Sequence, residues 1–489
     1  MAANRVRLPH LPRHIWLKVG GWFEDRSHIY EGLLPIVQHP VPNTGKSGWW
    51  YVFGSATLTA FVIQVVTGVA LAMTYSAAPS VAYDTLQFIT HGAPFGFLLR
   101  GMHYFGASAM VVLITIHVLR IFLMGSYKFP REFNWLTGAF LLVLTAAIAF
   151  TGQLLRWDQD GYWSIVVMAE QAGKTPAVGQ LVAQLVVAGS TVGGATLTRF
   201  FGIHVFLLPA LMGGFILIHL WLVVFDGISE PPRPGVPVDP KTYKERYHAM
   251  LERDGVPFFP DAAWRDALFA GAVVAVIMVL AAVVGAPELG KPADPTIIQA
   301  NPRPDWYFLW YFTVLAMIPP ALENWVILTV PVLIGVLVIA VPFVSNRGER
   351  HPARRPVAVF LVGGMLVSLA VLTIEGSAAR WSPDIQAAQN APIPPDMLQR
   401  AQAQNAAPGA QLFQDKGCRT CHALAGTGGQ KGPDLSYVGN RLTREQLITR
   451  ILNGGNNMPA FGGNITDQQL QQLTNFLQTL KTPSQGQSG

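Results

Sequence analysis

The sequence predicts an all-α protein: a bundle of seven membrane-spanning helices followed by a small all-α extracytoplasmic domain. Three observations carry this expectation. Of the 489 residues, 51% are hydrophobic and only 13% charged, with mean hydropathy +0.34, a balance outside that of ordinary soluble domains. Apolar runs recur near 49–75, 97–124, 135–151, 199–225, 264–285, 322–344 and 355–375, most of them near the roughly 20 residues a helix needs to cross a bilayer. Beyond residue 376 such runs stop, and a Pro-, Ala- and Gln-rich stretch leads into a segment of ordinary polarity.

In chain order, residues 1–48 are polar and broken by prolines. They read as a cytoplasmic segment with no cleavable signal peptide, the first span itself directing the chain to the membrane. Residues 49–225 hold four spans and 226–381 three more, with a less hydrophobic stretch at 305–318 that reads as a re-entrant or surface helix. A linker is expected at 382–407, because apolar periodicity is missing there, and a soluble domain at 408–489 with helices near 408–417 and 466–480.

Lys and Arg orient the bundle. The 1–48 segment and the 125–134, 226–265 and 345–355 connections carry eighteen of them, against four in the alternate loops 76–96, 152–198 and 286–304. The bias predicts a multi-pass plasma-membrane protein with its N-terminus in the cytoplasm and its C-terminal domain outside. The net charge of +6 follows from this topology and gives no reason to expect nucleic acid as a partner.

Four of the twelve histidines lie inside spans, as two pairs: His103 and His117 in the second, His204 and His219 in the fourth. Separations of 14 and 15 residues are about four helical turns, roughly 21 Å. Two such helices side by side would clamp two haems, one above the other, each iron held by an imidazole from each helix. Isolated histidines bonded to neighbouring helices are the plainer alternative, but intramembrane ionisable residues mark functional sites. Gly54 and Gly68 in the first span and Gly138 and Gly152 in the third repeat the 14-residue interval, as expected if the same two flat groups press on four helices.

The only two cysteines, Cys418 and Cys421, stand in Cys-Arg-Thr-Cys-His. This spacing points to covalent c-type haem attachment, with His422 as proximal ligand. A redox disulfide or half of a zinc site would share the Cys-x-x-Cys, yet zinc needs further ligands and the domain has no other Cys or His. Met458 is the one methionine beyond the motif and is the candidate sixth ligand, a plain core role being the alternative. Flanking helices on either side fit a small class I cytochrome c.

The motifs also carry a family resemblance. Leu-Leu-Arg-Gly-Met-His at 98–103, His-Val-Leu-Arg at 117–120, Trp-Asp-Gln-Asp-Gly-Tyr-Trp at 157–163 and Thr-Leu-Thr-Arg-Phe at 196–200 make residues 49–225 resemble the four-helix cytochrome b of the chloroplast-type bf complex. The 15-residue second histidine pair is similar to that type, whereas the mitochondrial type has 14 in both. Residues 236–375 resemble subunit IV of the same complex, with Pro-Asp-Trp-Tyr at 304–307 in place of Pro-Glu-Trp-Tyr. The tail resembles cytochrome c domains fused to such subunits in some bacteria.

The resemblance implies a quinol:cytochrome c reductase working by a Q cycle. Quinol would be oxidised at the outer face near Asp305, Tyr307 and the 152–163 segment. One electron would pass to a separate Rieske iron–sulfur protein and on to the c haem and a downstream cytochrome or oxidase. The other would cross two b haems to reduce quinone near the cytoplasm. With the expected orientation, His103 and His204 hold the outer haem and His117 and His219 the inner one. Arg100, Arg199 and Arg120 are candidates for haem propionates, or else snorkel at the interface. Asp305 is a candidate proton acceptor facing an apolar pocket, or else a helix cap. The family also implies a homodimeric complex. Its extra covalent haem at the inner quinone site has no cysteine here, since Val52 stands at the matching position and Val224 where an arginine is expected. A rival function is a dihaem membrane anchor feeding a different redox module, although such anchors have four or five spans and no Pro-Asp-Trp-Tyr segment.

Overall fold

The computed structural model describes residues 21–22, 24–27 and 37–482, apart from 190, 295–302, 319, 379–387, 389, 430–431, 455–457, 459 and 463. Most of the expected 1–48 segment and the start of the 382–407 linker therefore lie outside the described residues. Among the described residues, seven helices are long and apolar enough to cross a membrane: Gly45–Ala72, Gly96–Leu123, Glu132–Leu154, Gly194–Asp226, Phe258–Val283, Trp325–Val344 and Pro356–Ala378. They match the seven apolar runs in number and order, and the chain is a multi-pass membrane protein with a mostly helical fold. The short stretch expected at 305–318 is a turn of tight helix, Trp306–Phe308, continued by Leu309–Met317, packed against the seventh span.

The first and second spans form the most extensive pair, and the third packs on the fourth. The fifth lies against the second and first, and the sixth against the third. Small buried residues, Ala56 and Ala60 of the first span, meet Met110, Leu113, Leu144 and Met212 at the centre of the bundle. Many remaining large apolar side chains of the spans, such as Val66, Leu217 and Phe360, face outward, as a hydrocarbon surrounding requires.

The basic loops do more than set orientation. Arg131 is buried and donates to the Gly227 carbonyl and the Tyr243 hydroxyl, each at 2.8 Å. Lys128 donates to the Ser345 and Arg347 carbonyls, and Arg350 pairs with Glu230 at 2.6 Å. Cations are thus satisfied by carbonyls and a carboxylate, which lets them lie buried, and they knit the 124–131, 226–243 and 345–355 connections into one layer.

At the opposite end, the 152–163 and 286–305 segments are laced together. Asp158 caps the helix Gln159–Gly173 by accepting from the Gly161 N–H. Gln159 donates to the Pro292 and Asp294 carbonyls. The Asp305 N–H donates to Gln153, and the Arg303 N–H to Asp160.

The C-terminal domain is built on Ala407–Asp415 against Asp467–Thr479, with Phe413 and Phe476 in ring contact at 5.5 Å. Thr443 and Thr466 start their helices with reciprocal Thr–Gln capping, a pattern that satisfies two orphan N–H groups at each end. One expectation is corrected here. The second half of the 382–407 linker is not irregular: Pro395–Ala403 is a helix whose Met397 and Ala401, four apart, bury into the domain core. A two-turn helix with only this narrow apolar stripe is too short to give a periodicity that stands out.

Candidate functional site

His103 and His204 face each other inside the bundle with ring centroids 6.3 Å apart and planes 76° apart. A metal–imidazole bond of about 2 Å on each side, plus about 1 Å from nitrogen to ring centre, gives about 6 Å for two imidazoles on one iron. His117 and His219 form the second pair, close enough to interact electrostatically. The geometry of the first pair therefore fits a bis-imidazole centre, and the residue types and placement of the second suit another of the same kind.

The glycines also play a part that the expectation did not include. Their absent side chains leave room for the imidazoles: a Cβ at Gly68 would come 3.1 Å from His103 Cε1, and one at Gly54 3.1 Å from His117 Cε1. On the other side, Gly152 stands against His204 at 2.7 Å and Gly138 against His219 at 3.3 Å. Antiparallel neighbours produce this pairing, the early glycine of one helix meeting the late histidine of the next. The shared 14-residue period is therefore also that of the glycine–histidine contact.

The 15-residue spacing in the fourth span also has a local cause. His204 lies in a single wide turn, Ile203–Leu207, of π-helical hydrogen bonding between Gly194–Gly202 and Leu208–Asp226. Such a turn accommodates one extra residue, so His204 and His219 keep the same face as a 14-residue pair.

A largely apolar cavity of about 240 Å³ adjoins the first pair. Its lining includes His103, His204, Arg100, Gln153, Asp305 and Tyr307. Asp305 is not surrounded by apolar groups alone: Arg156 donates to its Oδ1 at 3.1 Å and the Tyr307 hydroxyl to its Oδ2 at 3.0 Å. Asp158 lies 3.6 Å from the Nε of the same arginine. The Asp305 side chain makes no capping bond to the helix it precedes. Burial first, and the neighbouring Asp305 next, push the Tyr307 phenol well above its ordinary range, so it stays a donor. Burial likewise holds the Asp160 carboxyl above the usual carboxylate range.

The three candidate arginines separate. Arg120 is buried, stacks 3.7 Å over the Tyr51 ring and, among the described residues, has Nε and Nη2 without hydrogen-bond partners. Donors left unsatisfied in a buried place fit an anionic group such as a propionate. Arg100 lines the cavity but gives Nη2 to the Pro287 carbonyl at 2.6 Å and Nη1 to Thr90. Arg199 is exposed and donates to the Leu185 carbonyl, one of the free carbonyls in the last turn of Gly179–Val187, where cations are favoured. It does not join the cavity.

In the C-terminal domain, Cys418 and Cys421 are thiols not joined in a disulfide, and His422 Nδ1 pairs with the Pro433 carbonyl at 2.8 Å, leaving Nε2 for an iron. Met458 is partly buried and packs against the domain core. Arg419, between the cysteines, is fully buried and ties the haem-attachment loop to the Ala391 and Pro392 carbonyls and to Thr427. Asn464 donates to Asp294 at 3.0 Å, so this domain touches the loop that leads to Asp305.

Arg156 and three threonines beside the histidines were not among the sequence candidates. Arg156 directly precedes the Trp-Asp-Gln-Asp motif, and its place at the end of a span was its one visible mark. The threonines precede three of the four spaced glycines, at 67, 137 and 151.

A membrane bundle that sets paired imidazoles opposite each other in an apolar interior is that of a b-type cytochrome. The comparisons agree. The family model Cytochrome b/b6/petB matches residues 37–226, and Cytochrome b(C-terminal)/b6/petD matches 292–393. Residues 404–477 match Cytochrome C oxidase, cbb3-type, subunit III. Cytochrome b6 of Heliobacterium mobile is 40% identical over 211 residues, 43% of this chain and 99% of that protein. Cytochrome b6 of Synechococcus elongatus is 39% identical over 214 residues, 44% and 99% respectively. A solved structure, "Hyperthermophilic respiratory Complex III", superimposes with TM-score 0.62 at 28% identity, over 73% of this chain and 91% of that one. The chain belongs to the cytochrome b/b6 family and carries a C-terminal cytochrome c domain. It is a b/b6-type subunit of a bc/b6f-like complex, with b-type and c-type haem as its cofactors.

Proposed function

We propose that this chain is the cytochrome b/c subunit of a quinol:cytochrome c oxidoreductase that oxidises quinol from the membrane pool at the extracytoplasmic face. A single observation carries the reading: one apolar cavity is lined both by the histidine pair His103/His204 and by Asp305 and Tyr307. A carboxylate that can take a proton thus adjoins a centre that can take an electron. When bound, two b haems and one c haem supply one-electron transfer, across the membrane between the histidine pairs and onward from His422 to a downstream cytochrome or oxidase.

The chain's own residues hold and deprotonate the quinol. Tyr307 and Arg156 fix the two oxygens of Asp305. Arg156 has Asp158 as a second acidic neighbour, so it can turn away from Asp305 while staying paired. Asp305 Oδ1 is then free to accept a quinol proton, and Asp160, which accepts from the Arg303 N–H, belongs to the same loop cluster. The other electron of the pair goes to a separate Rieske iron–sulfur protein, because both cysteines are committed at 418 and 421. Quinone reduction at the cytoplasmic face completes a Q cycle coupled to proton translocation, in a homodimeric complex. The Lys/Arg bias supports a cytoplasmic N-terminus, and the Asn464–Asp294 bond supports the c domain on the Asp305 side.

Asp305→Asn tests the assignment. The amide can still accept from Arg156 through its one oxygen and donate through its NH2 to the Tyr307 hydroxyl, but it cannot take a proton at neutral pH. Quinol oxidation by the purified complex should fall by roughly tenfold or more, as for other positioned acid–base groups, with the b haems still assembled. Near wild-type turnover with an unshifted pH profile would overturn the role of Asp305.

A further inference from the structure

Three of the four apposed histidines carry a threonine hydroxyl on Nδ1. Thr67 Oγ1 lies 2.9 Å from His103, Thr137 Oγ1 2.9 Å from His219 and Thr151 Oγ1 3.0 Å from His204. A hydroxyl has one hydrogen to give, and each of these is already directed at a helix carbonyl: Ile63 at 2.6 Å, Asn134 at 2.9 Å and Ala147 at 2.9 Å. With its hydrogen spent, the oxygen can only accept, so the imidazole must donate from Nδ1–H. That assignment leaves the Nε2 lone pair for a metal.

The fourth position differs. Gly54 stands against His117 as the other glycines stand against theirs, but the residue before it is Phe53, which has no hydroxyl. The His103/His204 site therefore has two threonine acceptors and the His117/His219 site one. His204 and His219 also reach the Ile148 and Asn134 carbonyls, so His103 depends most on its threonine.

We infer that Thr67, Thr137 and Thr151 are positioning residues that set the ligand tautomer and lower the midpoint potential of the b haems, two acting on the His103/His204 site and one on the His117/His219 site. The inference rests on the proposed reading that these pairs hold two b haems. An imidazole that donates from its far nitrogen is a stronger electron donor to its metal, and electron-rich ligation favours the oxidised iron. Unequal numbers of hydroxyls give the two sites unequal potentials, with electrons favoured at His117/His219.

The test is an optical redox titration of the b haems in the purified full-length chain. Thr67→Val, which keeps the shape and removes the hydroxyl, should raise one of the two b midpoints and narrow the gap between them. Thr67→Ser should restore it. Thr137→Val should raise the other midpoint and widen the gap. If Thr67→Val sheds a haem that Thr67→Ser retains, the hydroxyl still holds His103, and Thr151→Val must then move the same midpoint upward. Unmoved or lowered midpoints with both haems bound would overturn the inference while leaving the haem assignment standing. A wild-type chain without b haem would instead overturn the underlying reading.

Discussion

Adding one methyl group to each of the four spaced glycines should damage haem binding in an order set by the structure. Ordinary carbon contact begins near 3.4 Å, and the methyl would meet the histidine Cε1 at 2.7 Å for Gly152, 3.1 Å for Gly54 and Gly68 and 3.3 Å for Gly138. The His204 ring cannot simply retreat, since Thr151 holds its Nδ1 at 3.0 Å and its backbone is fixed within the wide turn Ile203–Leu207. Overpacking of this kind costs about 1–3 kcal/mol, and about 1.4 kcal/mol is tenfold in an equilibrium constant. Gly152→Ala should therefore weaken b-haem retention by roughly tenfold or more, Gly54→Ala and Gly68→Ala by a few-fold, and Gly138→Ala by about twofold at most. The assay is the b haem kept per chain after challenge with a haem scavenger, with the covalent c haem of the same chain as internal standard. Equal losses at all four positions, or the greatest loss at Gly138, would refute the steric reasoning.

Three further outcomes concern the cofactors. The purified chain should hold b and c haem in a ratio of about two to one, from two bis-imidazole sites and one Cys-x-x-Cys-His; a Cys418→Ala, Cys421→Ala variant should lose the only covalent haem and keep the others. A pyridine haemochrome assay giving equal b and c would refute this. Met458→Ala should leave c haem attached but lower its midpoint potential, because a thioether favours reduced iron. An unchanged potential, with the sulfur–iron charge-transfer band intact, would make Met458 a core residue only.

Features that run against their surroundings were legible in the sequence. A histidine in a membrane helix, or a Cys-x-x-Cys-His in a chain with no other cysteine, stands out because its chemistry conflicts with its neighbours unless a cofactor reconciles them. The seven spans were legible because hydrocarbon imposes a length on apolar helices. The partner of each group was harder to read. Asp305 was recognisable as a candidate, but Arg156, 149 positions earlier, meets it only after two loops are laced together. Arg100 and Arg199 look alike in the sequence, yet a local carbonyl claims Arg199. The role of the glycines is hidden for a similar reason: a period shared by glycines and histidines is compatible with a common cofactor and with direct contact, and the contact becomes visible only once the antiparallel neighbours are packed.

The wide turn at Ile203–Leu207 has a consequence for how such a chain can change length. Elsewhere in a membrane helix, gaining or losing one residue rotates everything beyond it by about 100°, which would swing His219 out of register with His117. At this turn the extra residue is already looped out, so its deletion would return a regular helix with His219 still on the correct face. A one-residue insertion or deletion is ordinarily ruinous inside a span. Here it becomes a small step, and the 14- and 15-residue forms of a histidine pair can interconvert without passing through a chain that has lost a ligand.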